Sequence, residues 1–294
     1  MVFSHLSALV ARIGAAADPV AQMRHELTDY GRGNQGAGLA HCGVRPAKVG
    51  TLQAEWLIPA AGRQDRRLVF LHGGGWMGGS AEGYRALTAE IAWQTRCPVL
   101  AVNYRLAPEY PFPAGFQDAL MALSWAERYG PAGGELPADI ALIGDSAGAN
   151  LAAAAVAERI KQGKAPPARL ALLSPMLDMR EPGRPVAGVR DQVVNGDVLA
   201  GVLAAYQGDP HDPRVSPAAM GERIAASFPP TLIQVSALEH LRDQALAFAE
   251  MLWLAGAPCR LGVWPDMPHV WQFFMTDLPE ARQALQDLAE FLNA

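Results

Sequence analysis

Short, uninterrupted apolar runs alternate with longer amphipathic stretches over most of this chain. Seven runs read as strands: residues 49–58, 68–72, 99–104, 140–143, 170–174, 231–236 and 260–264. Most of the later ones are apolar nearly throughout, as in strands buried on both faces. Between them, residues 84–95, 115–129, 149–162, 242–255 and 279–292 have the length and spacing of helices. The alternation predicts an α/β fold, a mostly parallel central sheet with helices on both faces. Ligands of such sheets bind beyond the carboxyl ends of the strands. The residues that follow each strand are therefore the ones to search for chemistry.

Two stretches break the pattern. Residues 1–46 open with Phe3, Leu6, Leu9, Val10 and Ile13 at helical spacing and then become glycine-rich. Residues 177–223 are rich in proline, glycine and charge. Both are expected to contribute to a small helical cap over the strand ends, with residues 47–294 as the main domain. The N-terminal apolar stretch has no positive region before it and is interrupted by Arg12, so an amphipathic helix is expected rather than a signal peptide.

Composition narrows the picture. A chain of 294 residues with half of them hydrophobic suits one large domain with a core that needs no disulfides. The net charge of −5 leaves no basic footprint for nucleic acid. No apolar run reaches the length of a membrane span. Cys42, Cys97 and Cys259 make neither a disulfide framework nor a zinc-site spacing. Free thiols, a cytoplasmic location, and no metal or cofactor are expected.

The most informative segment is Gly144-Asp145-Ser146-Ala147-Gly148, a G-x-S-x-G motif between a strand and an Ala-rich helix. A serine hydroxyl becomes a useful nucleophile when a sharp strand-to-helix turn projects it beside a base. Only small residues fit such a turn, and its helix aims N–H groups at the serine oxygen. His72-Gly73-Gly74-Gly75-Trp76 follows another strand directly. Three adjacent glycines let backbone N–H groups approach a ligand closely. With Ala147, Gly74 and Gly75 are the candidate oxyanion donors for acyl transfer.

The candidate base is His269, in a proline-flanked loop after the last strand. Its rivals are His5, His25, His41, His72, His211 and His240. Two carboxylates compete to orient it, Glu239 and Asp243, four residues apart after the penultimate strand. Glu239 lies in the turn itself and is preferred. Asp243 falls in the first helical turn, where it could instead serve the helix dipole. Trp76, Met77, Leu177, Met179, Trp271 and Phe273 are apolar residues near strand ends and candidate pocket lining, although each could equally be core.

Together with Tyr104-Arg105-Leu106-Ala107-Pro108-Glu109, Pro111-Phe112-Pro113 and Asp212-Pro213-Arg214-Val215-Ser216-Pro217, these motifs resemble the bacterial hormone-sensitive-lipase family of α/β-hydrolase esterases. The resemblance runs from about residue 68 to 274. It implies a cofactor-free carboxylesterase for short- to medium-chain esters, with a cap, Ser146 as nucleophile and His269 as base. It further implies that Arg105 and Glu109 help to position the glycine loop. The chain departs from the family at the acid motif: Glu239 stands where many members have aspartate. Lactones, amides and formamides remain alternative substrates, as does a non-catalytic small-molecule-binding role. A small apolar ester is the expected partner, and a homodimer through the strand at 260–264 is an expectation by fold analogy.

Overall fold

The computed structural model describes residues 2–33, 36–63, 65–134 and 139–294. Two helices open the chain, α1 (Val2–Ala15) and α2 (Pro19–Gly33), followed by the single turn α3 (Gly38–His41). The strands are β1 (Cys42–Val49), β2 (Leu52–Pro59), β3 (Arg66–Leu71), β4 (Val99–Val102), β5 (Asp139–Asp145), β6 (Arg169–Leu173), β7 (Thr231–Ser236) and β8 (Cys259–Trp264). They form one sheet in the order β1-β2-β4-β3-β5-β6-β7-β8. β2 is antiparallel to both of its neighbours, and β4 through β8 run parallel.

The remaining helices are α4 (Arg85–Thr95), α5 (Ala114–Ala126), α6 (Ser146–Lys161), α7 (Gly196–Tyr206), the single turn α8 (Glu222–Ala225), α9 (Arg242–Leu254) and α10 (Pro279–Asn293). Successive strand residues feed opposite faces. Val69, Leu71, Leu142 and Leu172 pack with α5, α6 and α9. Leu68, Phe70, Ile143 and Leu173 pack with α4 and α10. This is why the central strands read as apolar at every position. Alanines dominate the buried face of α6. Their small side chains let the helix lie close to the sheet, directly behind the serine.

The sequence pattern misses two features. Residues 49–58 form a hairpin rather than one strand: Gly50, at φ +60°, turns the chain between β1 and β2. β1 is a mostly exposed edge strand and carries Pro46, so it shows no apolar alternation. It begins at Cys42, so residues 42–46 of the expected cap segment belong to the sheet. The second feature is α7, hidden within the proline- and glycine-rich stretch. Asn195 caps it by accepting the Val198 N–H.

Candidate active site

β5 ends at Asp145 and α6 begins at Ser146, with no residue between them. The turn is sharp enough to hold Ser146 at φ +50°. Its flanking glycines are obligatory. A Cβ on Gly144 would lie 2.4 Å from the Gly148 carbonyl oxygen, and one on Gly148 would lie 2.0 Å from that of Leu71. Four of the seven non-glycine residues with positive φ among the described residues, Trp76, Ser146, Ser174 and Val270, surround this site. Backbone strain is concentrated where side chains must be aimed.

The Ser146 hydroxyl lies 3.0 Å from Nε2 of His269, and Nδ1 of His269 lies 2.9 Å from Oε2 of Glu239. With Nδ1–H donated to the carboxylate, Nε2 is free to accept the serine proton. The other Glu239 oxygen, Oε1, accepts the Ser174 hydroxyl and the Ser236 N–H, both at 2.8 Å. Ser174 Oγ in turn accepts the Val270 N–H, and Ser236 Oγ donates to the Met267 carbonyl. The acid turn and the histidine loop are thereby fixed to each other. Asp243 pairs with Arg242 and is half exposed, so the structure brings Glu239, not Asp243, to His269.

Burial works against protonation of His269. The hydrogen bond and charge of Glu239, with the charges of Asp191 and Asp145, outweigh it and raise the histidine above its usual value. Burial pushes the Glu239 carboxyl up, while its bond to His269 and the Ser236 N–H pull the other way. Asp191, Glu239 and His269 are the one group among the described residues with metal-ligand proximity. Their atoms already serve one another or backbone amides, as an acid–base pair requires.

The glycine loop is held from below. The Gly73 N–H donates to Oδ1 of Asp145, and Tyr84 Oη donates to Oδ2. Burial raises the Asp145 carboxyl to about 7 despite these bonds. Gly74 and Gly75 sit at φ +113° and +60°, and their amides have no hydrogen-bond acceptor among the described residues. Ala147 is in the first turn of α6, where N–H groups have no helical partner. His72 is a buried prop. Its ring stacks on Tyr104, its Nδ1 meets the Gly73 carbonyl, and burial lowers it to about 4, so it stays neutral.

The segment Tyr104 to Glu109 braces this loop, directly through Tyr104 and Ala107 and, for Glu109, by way of Arg24. Tyr104 Oη donates to the His72 carbonyl and the Ala107 N–H to that of Trp76. Arg105 is held by a bidentate pair with Asp118, and Glu109 by Arg24 of α2. Arg24 also donates to the Met77 and Ala107 carbonyls, so α2 is tied to the loop. Asn103 accepts the Ala81 N–H at the far end of the loop.

Ser146, His269, Gly74 and Gly75 border a cavity of about 230 Å³. Of the six candidate pocket residues, only Phe273 lines it. Leu177, Met179 and Trp271 are fully buried core, Trp76 lies stacked against Tyr206 of α7, and Met77 packs against the core. The walls come instead from the apolar faces of the helices above the sheet: Leu6, Leu9 and Ile13 of α1, Met23 of α2, and Leu199 and Val202 of α7. Helical spacing in α1 was the available signal for its part. The contribution of α7 had none.

A strand–serine–helix elbow, a histidine after the last parallel strand and a glycine loop beneath the cavity define an α/β hydrolase. A profile of the alpha/beta hydrolase fold matches residues 68–273. The chain is 36% identical to an acetyl-hydrolase of Streptomyces hygroscopicus over 90% of this chain and 87% of that one. It is 33% identical to an esterase of Acinetobacter venetianus, covering 85% and 82%. A crystal structure of an esterase from the bacterial hormone-sensitive lipase family superposes with a TM-score of 0.84 at 33% identity, covering 99% and 97%. EstE5 soaked with ethyl alcohol gives 0.82 at 28% identity, covering 95% and 92%. The chain belongs to the bacterial hormone-sensitive-lipase family of α/β hydrolases.

Proposed function

We propose that this protein is a serine carboxylesterase acting on short- to medium-chain esters, with Ser146 as nucleophile, His269 as base and Glu239 as acid. The observation that carries this reading is the unbroken hydrogen-bonded line from Ser146 Oγ through both nitrogens of His269 to Glu239, opening on an apolar cavity. The names of the relatives, acetyl-hydrolase and esterase, agree with it.

As Ser146 Oγ bonds to the ester carbonyl carbon, its proton passes to Nε2 of His269. Glu239 stabilises the imidazolium through Nδ1–H. The carbonyl oxygen becomes an anion and takes hydrogen bonds from the amides of Gly74, Gly75 and Ala147. When the C–O bond breaks, Nε2 returns the proton to the leaving alkoxide, which departs as the alcohol. Water then gives a proton to Nε2 as it attacks the acyl-enzyme, and the same steps release the acid.

The cavity wall supports an uncharged acyl chain, because its lining is aliphatic and aromatic apart from Tyr84, Asp145 and the reacting pair. The described residues before β1 and residues 177–223 contribute the cap in this reading, excluding water above Ser146. The three free cysteines fit a cytoplasmic site, and no helix among the described residues is long and apolar enough to cross a membrane. β8 leaves its outer edge unpaired in the sheet, which supports a two-fold dimer there. Hydrolysis of p-nitrophenyl esters from acetyl to lauroyl, with lactone, amide and formamide controls, tests the activity. Turnover of short esters that vanishes in Ser146→Ala is expected, and none on any ester would overturn the reading.

A further inference from the structure

The triad described above leaves one nearby carboxylate without a role. Asp191 lies on the loop between β6 and α7, 48 residues before Glu239 in the chain. One of its oxygens accepts the Val193 and Val194 N–H groups, both at 2.9 Å. The other accepts the N–H of His240, the residue next to Glu239, at 3.1 Å. A carboxylate oxygen of Asp191, one of Glu239 and a ring nitrogen of His269 lie within 4.8 Å of one another. The surrounding loop is joined to the acid turn at further points. The Arg190 N–H donates to the Leu238 carbonyl, and Arg242 Nη2 to that of Ala187. Val193 and Val194 also line the cavity.

We propose that Asp191 is a positioning residue of this site: it anchors the acid turn and the pocket wall to each other and adds a second negative charge to the field around His269. This rests on the esterase reading for its catalytic consequence, though not for its electrostatic one. Asp191 does not reach the reacting atoms. It acts through Glu239, by fixing the turn that carries it, and through His269, whose protonated form gains from a second nearby anion. Three carboxyl groups face the ring from three places: Glu239 after β7, Asp191 before α7 and Asp145 at the end of β5; each favours the protonated ring when ionised, and burial holds Asp145 partly protonated near neutral pH. Tyr84 borders the same cavity, with its hydroxyl engaged by Asp145. Two anions stabilise the imidazolium that forms in each transition state, while the Asp191 charge adds to burial in raising the Glu239 carboxyl.

The test is an NMR titration of the His269 ring in Ser146→Ala protein, with and without Asp191→Asn, beside pH–kcat/KM profiles in the Ser146 form. The expected result is a drop of about one pH unit in the midpoint of His269. The acid limb of the kinetic profile should move by the same amount, and kcat should fall roughly tenfold, the usual effect of a lost charge-stabilising contact. Asp191→Glu, which restores the charge, should recover most of the shift. If Asp191→Asn does not melt cooperatively, Asp191→Ser, which keeps an oxygen for the Val193 and Val194 amides, carries the same titration. An unmoved midpoint in the folded variant overturns the proposal, even if activity falls, because loss of the anchor on the Glu239 turn or of the charge beside His269 would each move it. Absence of Ser146-dependent ester turnover in the wild type would instead overturn the esterase reading and leave the titration result standing.

Discussion

Replacing Glu239 with glutamine probes the acid at the end of the hydrogen-bonded line. The glutamate uses both oxygens: Oε1 takes the Ser174 hydroxyl and the Ser236 N–H, and Oε2 takes Nδ1–H of His269. Glutamine has one oxygen. If that oxygen stays with Ser174 and Ser236, the amide NH₂ faces Nδ1, and the ring must carry its proton on Nε2. A ring protonated on Nε2 cannot accept the proton of Ser146. If the amide turns over, the buried Ser236 N–H faces another donor, at a cost of about 1–3 kcal/mol. In both orientations the charge that stabilises the imidazolium is gone. Wrong-tautomer losses of this kind run to about 10³–10⁴ in kcat, or roughly 4–5.5 kcal/mol. Asp243→Asn should change kcat less than about twofold, because Asp243 is half exposed and its one ion pair among the described residues is with Arg242. The assay is kcat and KM on p-nitrophenyl butyrate, with thermal melts to show that each variant is folded. Activity of Glu239→Gln within tenfold of wild type, or a hundredfold loss in Asp243→Asn, would refute the reasoning.

Other outcomes follow from the same geometry. Because His269 must be neutral to act and its protonation is favoured, activity should fall with decreasing pH, with a midpoint above the usual histidine value of about 6.5. The linked stability runs the other way: a raised folded value contributes stability below the unfolded value that is lost as pH rises through the folded one. Gly148→Ala should abolish folding or lower the melting temperature sharply, since its methyl would meet the Leu71 and His72 carbonyls, whereas Gly201→Ala, in open space on α7, should stabilise by up to about 1 kcal/mol. Arg24→Ala should cost less than about 1 kcal/mol in stability, as Glu109 is half exposed, yet raise KM several-fold by freeing α2 from the glycine loop; an unchanged KM would separate the two.

The parallel strands were legible because burial on both faces leaves runs such as Val69-Phe70-Leu71 apolar at every position. The elbow was legible because its glycines are forced by backbone contact. β1 was not, because an exposed edge strand has no face to declare and Pro46 argues against a strand. The pocket was misread for a different reason. Large aromatic residues near strand ends, such as Trp76 and Trp271, fill the core beneath the site, while the wall is built from ordinary aliphatic residues on α1 and α7. Which face of those helices meets the cavity is decided by tertiary packing. Asp191 carries no motif, and its distance from Glu239 in sequence hides its place beside His269.

The most direct test of the account is to locate the covalent intermediate. The protein is treated with a fluorophosphonate, digested, and the modified peptide identified by mass spectrometry, beside a measurement of p-nitrophenyl butyrate turnover. The account predicts one label, on Ser146, absent from Ser146→Ala, with ester turnover lost in step. A label on another residue, or turnover that persists in Ser146→Ala, would contradict it.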